Sequence, residues 1–301
     1  MYDLIGDIHG HAIQLKRLLQ KMDYKEVNGV WQHSTRKAIF VGDYIDRGPA
    51  IRETLHIVHA MVTNGKALAI LGNHEYNAMA YATQLPDGSY LRAHNERNSK
   101  QHGATLRQFK DYEEEWAYYL QWFYTLPVFL QLDGLRAVHA CWDQDHIDWL
   151  KSSGLSAMNY DLLLASHKKG SKAYDVINET LKGKEIAIPQ EHGWFDKDGH
   201  LRTENRIKWW CEARSSYGEF LFNCPEALRG LQIDPAFKIN NYPTDEVPVF
   251  CGHYWLSDQV PALQSGNVVC LDYSIAKGGH LVAYRWNRDE RLSQEKFVVV
   301  E

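Results

Sequence analysis

Side chains that could bind a metal ion or transfer a proton follow the ends of five apolar runs in this sequence. They are Asp7 and His9 after the first run, Asp43, Asp46 and Arg47 after the second, Asn73 and His74 after the third, His139 after the fourth and His253 after the fifth. The carboxyl ends of strands in an open α/β sheet meet at one edge, so we expect these side chains to gather there. Asp7 and His9 are two apart in an extended segment and point the same way, so both can hold one ion.

The mixture of carboxylate, imidazole and amide oxygen suits Mn²⁺, Fe²⁺ or Zn²⁺ better than Ca²⁺. One central aspartate suggests a carboxylate shared by two ions, which about 3.5–4 Å apart could activate a bridging water and neutralise a phosphoryl transition state. Arg47 would bind phosphate oxygens with its planar fork. His74, beside Asn73, would protonate a leaving alkoxide while an acid orients its other nitrogen.

A single acid or histidine at a strand end is more often part of a turn, and coincidence is a poor explanation only for the set of five. Glu75 is either a partner of these residues or a helix-start acid. No role is predicted for the remaining histidines, which are His11, His33, His56, His59, His94, His102, His146, His167, His192, His200 and His280.

The elements that must position the site alternate between strand and helix at the start of the chain. The pattern predicts strands at 2–5, 38–41 and 67–71 with amphipathic helices between them. This order is typical of βαβ units, in which the strands are parallel. A loop at 85–103, a helical stretch at 104–126 and a hairpin over 127–138 are expected next. Strands return at 247–251, 268–271, 281–286 and 297–300, and segment 141–245 is predicted to be an inserted cap.

The chain has 301 residues, of which 45% are hydrophobic and 24% are charged, a composition typical of globular proteins. The formal charge of −5 argues against a nucleic-acid-binding scaffold. No apolar stretch is long enough to span a membrane, and the first strand leaves no room for a signal peptide. Five widely spaced cysteines without a C-x-x-C pair are typical of reduced core residues, so we expect a cytoplasmic protein.

Five motifs in order, GDIHG (6–10), GDYIDRG (42–48), GNHE (72–75), VHA (138–140) and GH (252–253), resemble the signature of the phosphoprotein phosphatase family. This family belongs to the calcineurin-like metallophosphoesterases, which include the symmetrical bis(5′-nucleosyl)-tetraphosphatases. The resemblance implies an α/β (α+β) fold, a four-layer αββα β-sandwich flanked by helices. It implies a single domain over residues 1–301, with 141–245 as an inserted helical cap.

The resemblance also implies two divalent ions, Mn²⁺ in the first place with Fe or Zn as alternatives. Asp7, His9 and the bridging Asp43 would hold one ion. The ligands of the other would be Asp43, Asn73, His139 and His253. Catalytic His74 would be the general acid oriented by Asp46, and hydroxide bound to the metals would attack directly without a phosphoenzyme. Arg47 would bind substrate phosphate, together with a second arginine for which we favour Arg214 over Arg206.

Departures from the family pattern leave the substrate open. The chain lacks the VHGG and SAPNY segments of eukaryotic-type protein phosphatases, and LDYSIAKGGHL (271–281) resembles the closing segment of the tetraphosphatases. The first hypothesis is hydrolysis of phosphomonoesters, either phosphoserine, phosphothreonine or phosphotyrosine in proteins or a small phosphoester. The second is symmetrical hydrolysis of a dinucleoside tetraphosphate such as diadenosine tetraphosphate in a deep pocket, with Trp194, Trp209, Trp210 and Tyr217 stacking on bases. The third is a catalytically silent phosphate-binding module.

Overall fold

Two β-sheets form the centre of the molecule, in a computed structural model that describes residues 1–188, 193–195, 201–211, 216–233, 241–288 and 291–301. The α-helices of the described part are α1 (Ala12–Lys21), α2 (Ile51–Thr63), α3 (Asn73–Ala82), α4 (Glu96–Gln108), α5 (Glu113–Phe123), α6 (Gln144–Ser152), α7 (Tyr160–Ala165), α8 (Lys172–Lys182) and α9 (Tyr217–Phe220). Its strands are β1 (Tyr2–Ile5), β2 (Lys25–Val27), β3 (Val30–Gln32), β4 (Lys37–Phe40), β5 (Ala67–Ala69), β6 (Phe129–Leu132), β7 (Leu135–Val138), β8 (Glu185–Ala187), β9 (Trp194–Phe195), β10 (Leu201–Arg202), β11 (Glu204–Arg206), β12 (Val249–Cys251), β13 (Val268–Cys270), β14 (Asp272–Tyr273), β15 (His280–Trp286) and β16 (Phe297–Val300).

The larger sheet has the strand order β14-β15-β1-β4-β5, and β16 also pairs with β15. Strands β1, β4 and β5 are parallel, with Leu4 opposite Ile39 and Ile39 opposite Leu68. Strand β15 joins β1 in the antiparallel direction. The smaller sheet has the order β13-β12-β7-β6, in which β12 runs parallel to both β7 and β13 while β6 and β7 form an antiparallel hairpin.

The two sheets pack against each other through one apolar layer. Leu4 and Ile39 of the larger sheet share this layer with Phe250 and Val269 of the smaller one, and all four side chains are fully buried. The residues next to them in sequence, such as Phe40, face the other side and pack with helices in a second cluster. This alternation follows from the period of two in a strand, and it confirms the predicted α/β sandwich flanked by helices.

The site-bearing segments begin where five strands end: β1, β4 and β5 in the larger sheet, and β7 and β12 in the smaller one. The predicted strands at 2–5 and 297–300 have the observed bounds, and the others agree within about two residues. Both sheets therefore contribute loops to the same region.

Helix α4 corrects the predicted loop at 85–103, because it begins at Glu96. The side chain of Asn95 caps it by accepting a hydrogen bond from the N–H of Asn98 at 2.9 Å. The segment is polar because only one narrow face is buried, with His102 and Thr105 on it, so its hydrophobic pattern is weak. The single helical stretch predicted for 104–126 is in fact the end of α4 followed by a separate helix, α5.

The predicted cap, 141–245, contains α6, α7, α8 and α9 among its described residues. It also contains two antiparallel ladders that the sequence did not indicate, β8 with β11 and β9 with β10. These strands have two or three residues, too few for an alternating pattern to be visible. The boundaries of the cap stay a prediction. Within the described residues, every helix is too short or too polar to cross a bilayer.

Candidate metal centre

The loops after β1 and β4 are joined by backbone hydrogen bonds. The N–H groups of Ile8 and His9 donate to the carbonyl of Asp43 at 3.1 and 2.9 Å. The N–H of Gly10 donates to the carbonyl of Tyr44 at 2.9 Å. The first two of the five loops therefore form one hydrogen-bonded unit, which fixes the distance between their acidic side chains.

Several residues of these loops have left-handed backbone dihedrals, which are uncommon for residues with a Cβ. Such dihedrals cost on the order of 1–3 kcal/mol each and persist where surrounding contacts determine them. The φ angles are 45° at His9, 57° at Asp43, 66° at Asp46, 70° at Arg47 and 72° at His253. The loops thus aim their side chains at a cost in stability, which is typical of functional sites.

Gly252, between β12 and His253, allows two loops to approach closely. A Cβ at this position would lie 2.0 Å from Oδ1 of Asp7. The N–H of His253 donates to Oδ2 of the same aspartate at 3.0 Å. Because only glycine fits at 252, the motif GH brings the last predicted ligand beside the first.

Glu75 holds the loop that carries Asp43. Its Oε2 accepts from the N–H groups of Asp43 at 2.9 Å and Gly72 at 3.1 Å, and its Oε1 accepts from the N–H of Tyr44 at 2.8 Å. Burial, with the nearby Asp43 carboxylate, raises the pKa of Glu75 to about 7. Of the two roles considered for this residue, both are present, since it lies in the first turn of α3 and also fixes a neighbouring loop.

Asp43 is shared by two groups of ligand-type side chains. One group is Asp7, Asp43 and His139, the other is His9, Asp43 and His74, and in each the ligand atoms lie within 4.8 Å of one another. Oδ2 of Asp43 is 3.6 Å from Nε2 of His9, and Oδ1 is 3.4 Å from Nε2 of His139. The aspartate predicted to bridge two ions thus lies at the centre of the cluster. Asp7 and His139, which the family pattern assigns to different ions, meet at this carboxylate.

Asn73 joins the two remaining histidines. Its Oδ1 is 3.1 Å from Nε2 of His139 and 2.7 Å from Nδ1 of His253. The other nitrogen of His139, Nδ1, is 2.7 Å from the carbonyl of Val41, which fixes the ring by accepting a hydrogen bond. The structure therefore brings together all six predicted ligands, from five loops.

Three buried atoms of these ligands have no hydrogen-bond partner among the described residues: Oδ1 of Asp7, Nε2 of His9 and Nε2 of His253. Nδ1 of His9 faces the carbonyl of Ile45 at 2.9 Å, an arrangement that leaves the lone pair on Nε2 available to a cation. Burial and the neighbouring His74 lower the pKa of His9 to about 3, so this ring is neutral at pH 7. The donor set fits divalent ions.

The acids of the site give the same indication. Burial raises the pKa of Asp7 well above its usual range, and the carboxylates of Asp272 and Asp43 add to the effect. Burial also opposes ionisation of Asp43, but His139 and His74 lower the pKa of this carboxyl well below its usual range. Asp7 is therefore the ligand whose ionisation depends on an added cation. The cluster therefore has the electrostatics of a metal site as well as its ligand types.

His74 and Asp46 form a close, buried pair. Nδ1 of His74 is 2.5 Å from Oδ2 of Asp46, and both side chains are at most 3% exposed. Burial opposes protonation of the imidazole, but Asp43 and Asp46 together raise the pKa of His74 above its ordinary value. Burial also opposes ionisation of Asp46, yet hydrogen bonds from His102 and His74 lower the pKa of this carboxyl below its usual range.

Arg47 lies beside this pair. Its Nη2 is 3.2 Å from Nε2 of His74, and its guanidinium carbon is 3.6 Å from the centroid of the Trp255 ring. Nζ of Lys277 lies 3.4 Å from the centroid of the same ring. The sequence prediction placed Arg47 at the site but missed Trp255, which is two residues after His253. A tryptophan following a GH motif gives no signal on its own.

Three further residues near Asp46 and Asp7 were also missed. His102, assigned to the histidines without a role, is 2.7 Å from Oδ1 of Asp46 through Nδ1, and Thr105 donates to the same oxygen at 2.6 Å. Their spacing of three residues on a polar helix was the available signal. Asp272 accepts from the N–H of Trp255 at 2.8 Å and so holds the loop after β12.

A cavity of about 490 Å³ adjoins Trp255. Its lining includes Asn205, Arg206, Phe222, Tyr254, Trp255 and Lys277. Glu185 and Glu204 also line it, and Glu185 lies 3.5 Å from Nε of Arg206, so the cavity combines aromatic faces with both basic and acidic groups.

Only some of the residues that were predicted to bind substrate lie at this cavity. Arg206 lines the cavity, whereas Arg214 lies outside the described residues. Trp209 and Trp210 were expected to offer stacking faces, but their side chains are 1% and 6% exposed and pack edge-to-face in the core. Tyr217 is not part of the cavity lining, and the side chain of Trp194 is outside the described part.

Comparisons with known proteins point to one family. The sequence model described as calcineurin-like phosphoesterase matches residues 2–254 of this chain. The symmetrical bis(5′-nucleosyl)-tetraphosphatase of Nitrosococcus oceani is 22% identical over 311 aligned residues, covering 95% of this chain and 93% of that protein. The asymmetrical bis(5′-nucleosyl)-tetraphosphatase PrpE of Oceanobacillus iheyensis is 44% identical over 73 residues, covering 24% of this chain and only 29% of its own length.

Solved structures of two phosphatases have a similar fold. A cold-active protein tyrosine phosphatase is 17% identical, with a TM-score of 0.50 over 94% of this chain and 73% of that chain. A protein serine/threonine phosphatase from Saccharomyces cerevisiae is 15% identical, with a TM-score of 0.50 over 99% of this chain and 78% of that chain. At such identities the likeness concerns the fold alone.

Proposed function

The chain belongs to the calcineurin-like phosphoesterase family, and from that premise we propose that it is a dinuclear, metal-dependent hydrolase of phosphomonoesters. The substrate would be phosphoserine, phosphothreonine or phosphotyrosine in a protein, or a small phosphoester. The observation that carries the proposal is the shared carboxylate of Asp43, with ligand atoms from two groups of side chains around it.

In this proposal the six residues Asp7, His9, Asp43, Asn73, His139 and His253 hold two divalent ions, for which Mn²⁺ is our first choice. When bound, such ions supply Lewis-acid stabilisation of phosphoryl oxygens and an activated water. Arg47 binds the remaining phosphate oxygens, because its planar fork matches their geometry. The stacking of its guanidinium on Trp255 supports this role, since it holds the fork in one orientation.

His74 acts as the general acid. Its Nε2 faces the same space as the guanidinium of Arg47, so a phosphate held by the arginine would place its leaving oxygen near this nitrogen. Nδ1 is engaged by Asp46, which sets the ring orientation and stabilises the protonated form. The proton then passes from Nε2 to the leaving alkoxide.

The experiment is a metal titration with p-nitrophenyl phosphate. Purified protein freed of metal by a chelator should regain hydrolysis with Mn²⁺, or with Fe²⁺ or Zn²⁺. Absence of turnover with every metal would contradict the proposal and favour the silent phosphate-binding module. Arg47→Lys is the matched variant, because it keeps the charge but loses the fork, and we expect its KM for phosphate esters to rise.

A second candidate function, symmetrical hydrolysis of a dinucleoside tetraphosphate, is favoured by the cavity beside Trp255. Aromatic faces suit bases, and the side chains of Arg206 and Lys277 suit additional phosphates. The tetraphosphatase of Nitrosococcus oceani, aligned over 95% of this chain, gives this candidate further support.

Rates on a phosphopeptide and on diadenosine tetraphosphate, measured side by side, separate the two candidates. A higher kcat/KM on the phosphopeptide supports the first proposal, and a higher value on the tetraphosphate supports the second. Arg206→Ala sharpens the test, because loss of a cavity arginine should raise KM for the tetraphosphate far more than for the phosphopeptide. Lys172→Ala, at an exposed position on α8, is the control for a general loss of positive charge.

A further inference from the structure

Both carboxylate oxygens of Asp46 are engaged, by residues of two different helices. Oδ2 is 2.5 Å from Nδ1 of His74, at the start of α3. Oδ1 is 2.7 Å from Nδ1 of His102 and accepts from the hydroxyl of Thr105 at 2.6 Å, both on α4. The N–H of Asp46 in turn donates to the same hydroxyl at 3.0 Å. His102 and His74 therefore share one carboxylate from opposite sides.

This arrangement is closed to solvent. Asp46 and His74 are 2% exposed, His102 is 5% exposed and Thr105 is fully buried. Water is thus poorly placed to replace a lost donor, and a carboxylate oxygen deprived of its partner would be free to rotate toward another. Buried networks of this kind fix geometry strongly because every member has a partner.

The same face of α4 also contacts the segment that follows Asp46. Gln108, one further turn along, accepts from the N–H of Ile51 and donates to the carbonyl of Gly48 at 3.0 Å. His102, Thr105 and Gln108 are spaced by three residues and all contact the segment 46–51. One stripe of α4 therefore supports the loop that carries both Asp46 and Arg47.

We propose that His102 and Thr105 are positioning residues for the proton-donating pair His74–Asp46. By occupying Oδ1, they hold the carboxylate so that Oδ2 alone faces His74 and keeps its ring aimed at the leaving group. The inference rests on the proposed function, and it assigns to α4 a part in proton transfer that none of the five strand-end motifs covers. His102 itself touches neither substrate nor metal ligand in this role.

The kinetic test uses two substrates that differ in how much they need a proton donor. p-Nitrophenyl phosphate has a good leaving group, whereas phosphoserine in a peptide has a poor one. His102→Ala should lower kcat on the phosphopeptide by about 10–100-fold, the usual effect of losing a side chain that orients a residue of the site. The loss on p-nitrophenyl phosphate should be much smaller, with little change in KM. An equal loss on both substrates would overturn the proposal, because a general disturbance of the site does not distinguish leaving groups.

Two variants test the contact itself. His102→Asn places an amide N–H₂ near the position of Nδ1 and should restore most of the phosphopeptide rate. Gln108→Ala, on the same face of α4 and against the same loop, should affect both substrates alike. If His102→Asn is as slow as His102→Ala, or if Gln108→Ala shows the leaving-group dependence, the assignment to the Asp46 carboxylate is wrong.

A double-mutant cycle shows whether the effect passes through Asp46. In an Asp46→Asn background, His102→Ala should cause little further loss, since the pair it supports is already broken. Additive losses would contradict the proposal.

A readout that does not depend on turnover is the proton NMR spectrum of the histidine ring N–H groups. Hydrogen-bonded Nδ1–H protons of His74 and His102 should give two low-field signals, and His102→Ala should remove one and shift the other. If the shift occurs but wild-type protein hydrolyses no phosphoester with any metal, the proposed function fails while the positional link stands. An unchanged His74 signal would refute the link itself.

Discussion

Two clusters in this molecule each offer three ligand atoms, from carboxylates and a histidine, within 4.8 Å of one another. One is Asp7, Asp43 and His139 at the strand ends, and the other is Asp143, His146 and Glu179 between α6 and α8. The ligand types are the same. A list of residues would therefore not separate them.

The difference lies in what neutralises the acids. In the second cluster Nζ of Lys184 is 2.9 Å from Oδ2 of Asp143 and 3.4 Å from Oε2 of Glu179, so the protein supplies its own cation. In the first cluster the ion-pair contacts of Asp43 are with histidines, which are themselves good metal ligands when neutral. The comparison teaches that a metal site is indicated by ligands whose charge the chain leaves to an external ion.

The largest expected effect comes from Asp43→Asn. The shared carboxylate contacts ligands of both proposed ions, so its loss should lower the content of both together and reduce kcat by about 10³-fold or more, several kcal/mol of transition-state stabilisation. Metal content by elemental analysis and kcat on p-nitrophenyl phosphate measure the two effects. Loss of a single ion would show that Asp43 does not bridge. Asp143→Asn is the matched control and should leave metal content unchanged.

His74→Asn should leave both ions in place and slow turnover by about 10²-fold, the scale of general acid catalysis. The substitution removes the proton donor but no predicted ligand, because Asn73 and not His74 is assigned to the metal. Full activity of this variant on a substrate with a poor leaving group would mean that another residue donates the proton.

Lys184→Met tests the other side of the comparison. It leaves the acids Asp143 and Glu179 without their cation, which should lower the free energy of unfolding by roughly 1–3 kcal/mol for a partly buried pair. Urea denaturation measures the loss, and kcat on p-nitrophenyl phosphate should match that of wild type. Unchanged stability, or a changed kcat, would mean that Lys184 does not have the compensating role described here.

Lys182 provides a smaller, pH-dependent effect. Burial, with the nearby charge of Arg92, lowers the pKa of its ammonium group to about 8, below the value of 10.5 expected when unfolded. A group whose folded pKa is depressed in this way opposes folding while it is charged below pH 8, and the penalty disappears as pH rises toward 10.5. Wild type should therefore gain roughly 2 kcal/mol of stability relative to Lys182→Met between pH 7.5 and 10.5, allowing for solvent screening.

Denaturation curves at both pH values measure this difference, and Lys172→Met on the exposed side of α8 is the control. A constant difference between wild type and Lys182→Met across the range would show that the ammonium group is not desolvated. Such a result would not bear on the proposed metal centre, since Lys182 contacts Asn178 rather than any predicted ligand.

Much of the fold and the grouping of the candidate ligands followed from the sequence because each signal is local. An apolar run followed by glycine and an acid predicts a strand end, and the observed ends of β1, β4 and β5 lie within about two residues of those expected. The expectation that such ends meet allowed the six candidate ligands to be grouped without coordinates. The ends belong to two packed sheets, β1, β4 and β5 in the larger one and β7 and β12 in the smaller one, and not to a single open sheet.

The contribution of α4 could not be predicted in the same way. His102 lies 56 residues after Asp46, on a polar helix with a weak hydrophobic pattern, and its role depends on a tertiary contact that no local rule encodes. Trp255 and the cavity that it borders are similar cases. Strand β11, which supplies Asn205 and Arg206, is too short to show an alternating hydrophobic pattern. Local patterns thus pointed to the candidate ligands and missed the residues that contact Asp46 and Arg47 from other parts of the chain.

The central claim is that Asp43 lies between two metal ions. Its most direct test is anomalous X-ray scattering from crystals of active protein purified without a chelator, combined with elemental analysis. We expect two ions per chain on either side of the Asp43 carboxylate, within coordination distance of the side chains from the five strand-end loops. Active protein without such a pair, or with its only ion at Asp143, His146 and Glu179, would contradict the assignment of the catalytic centre.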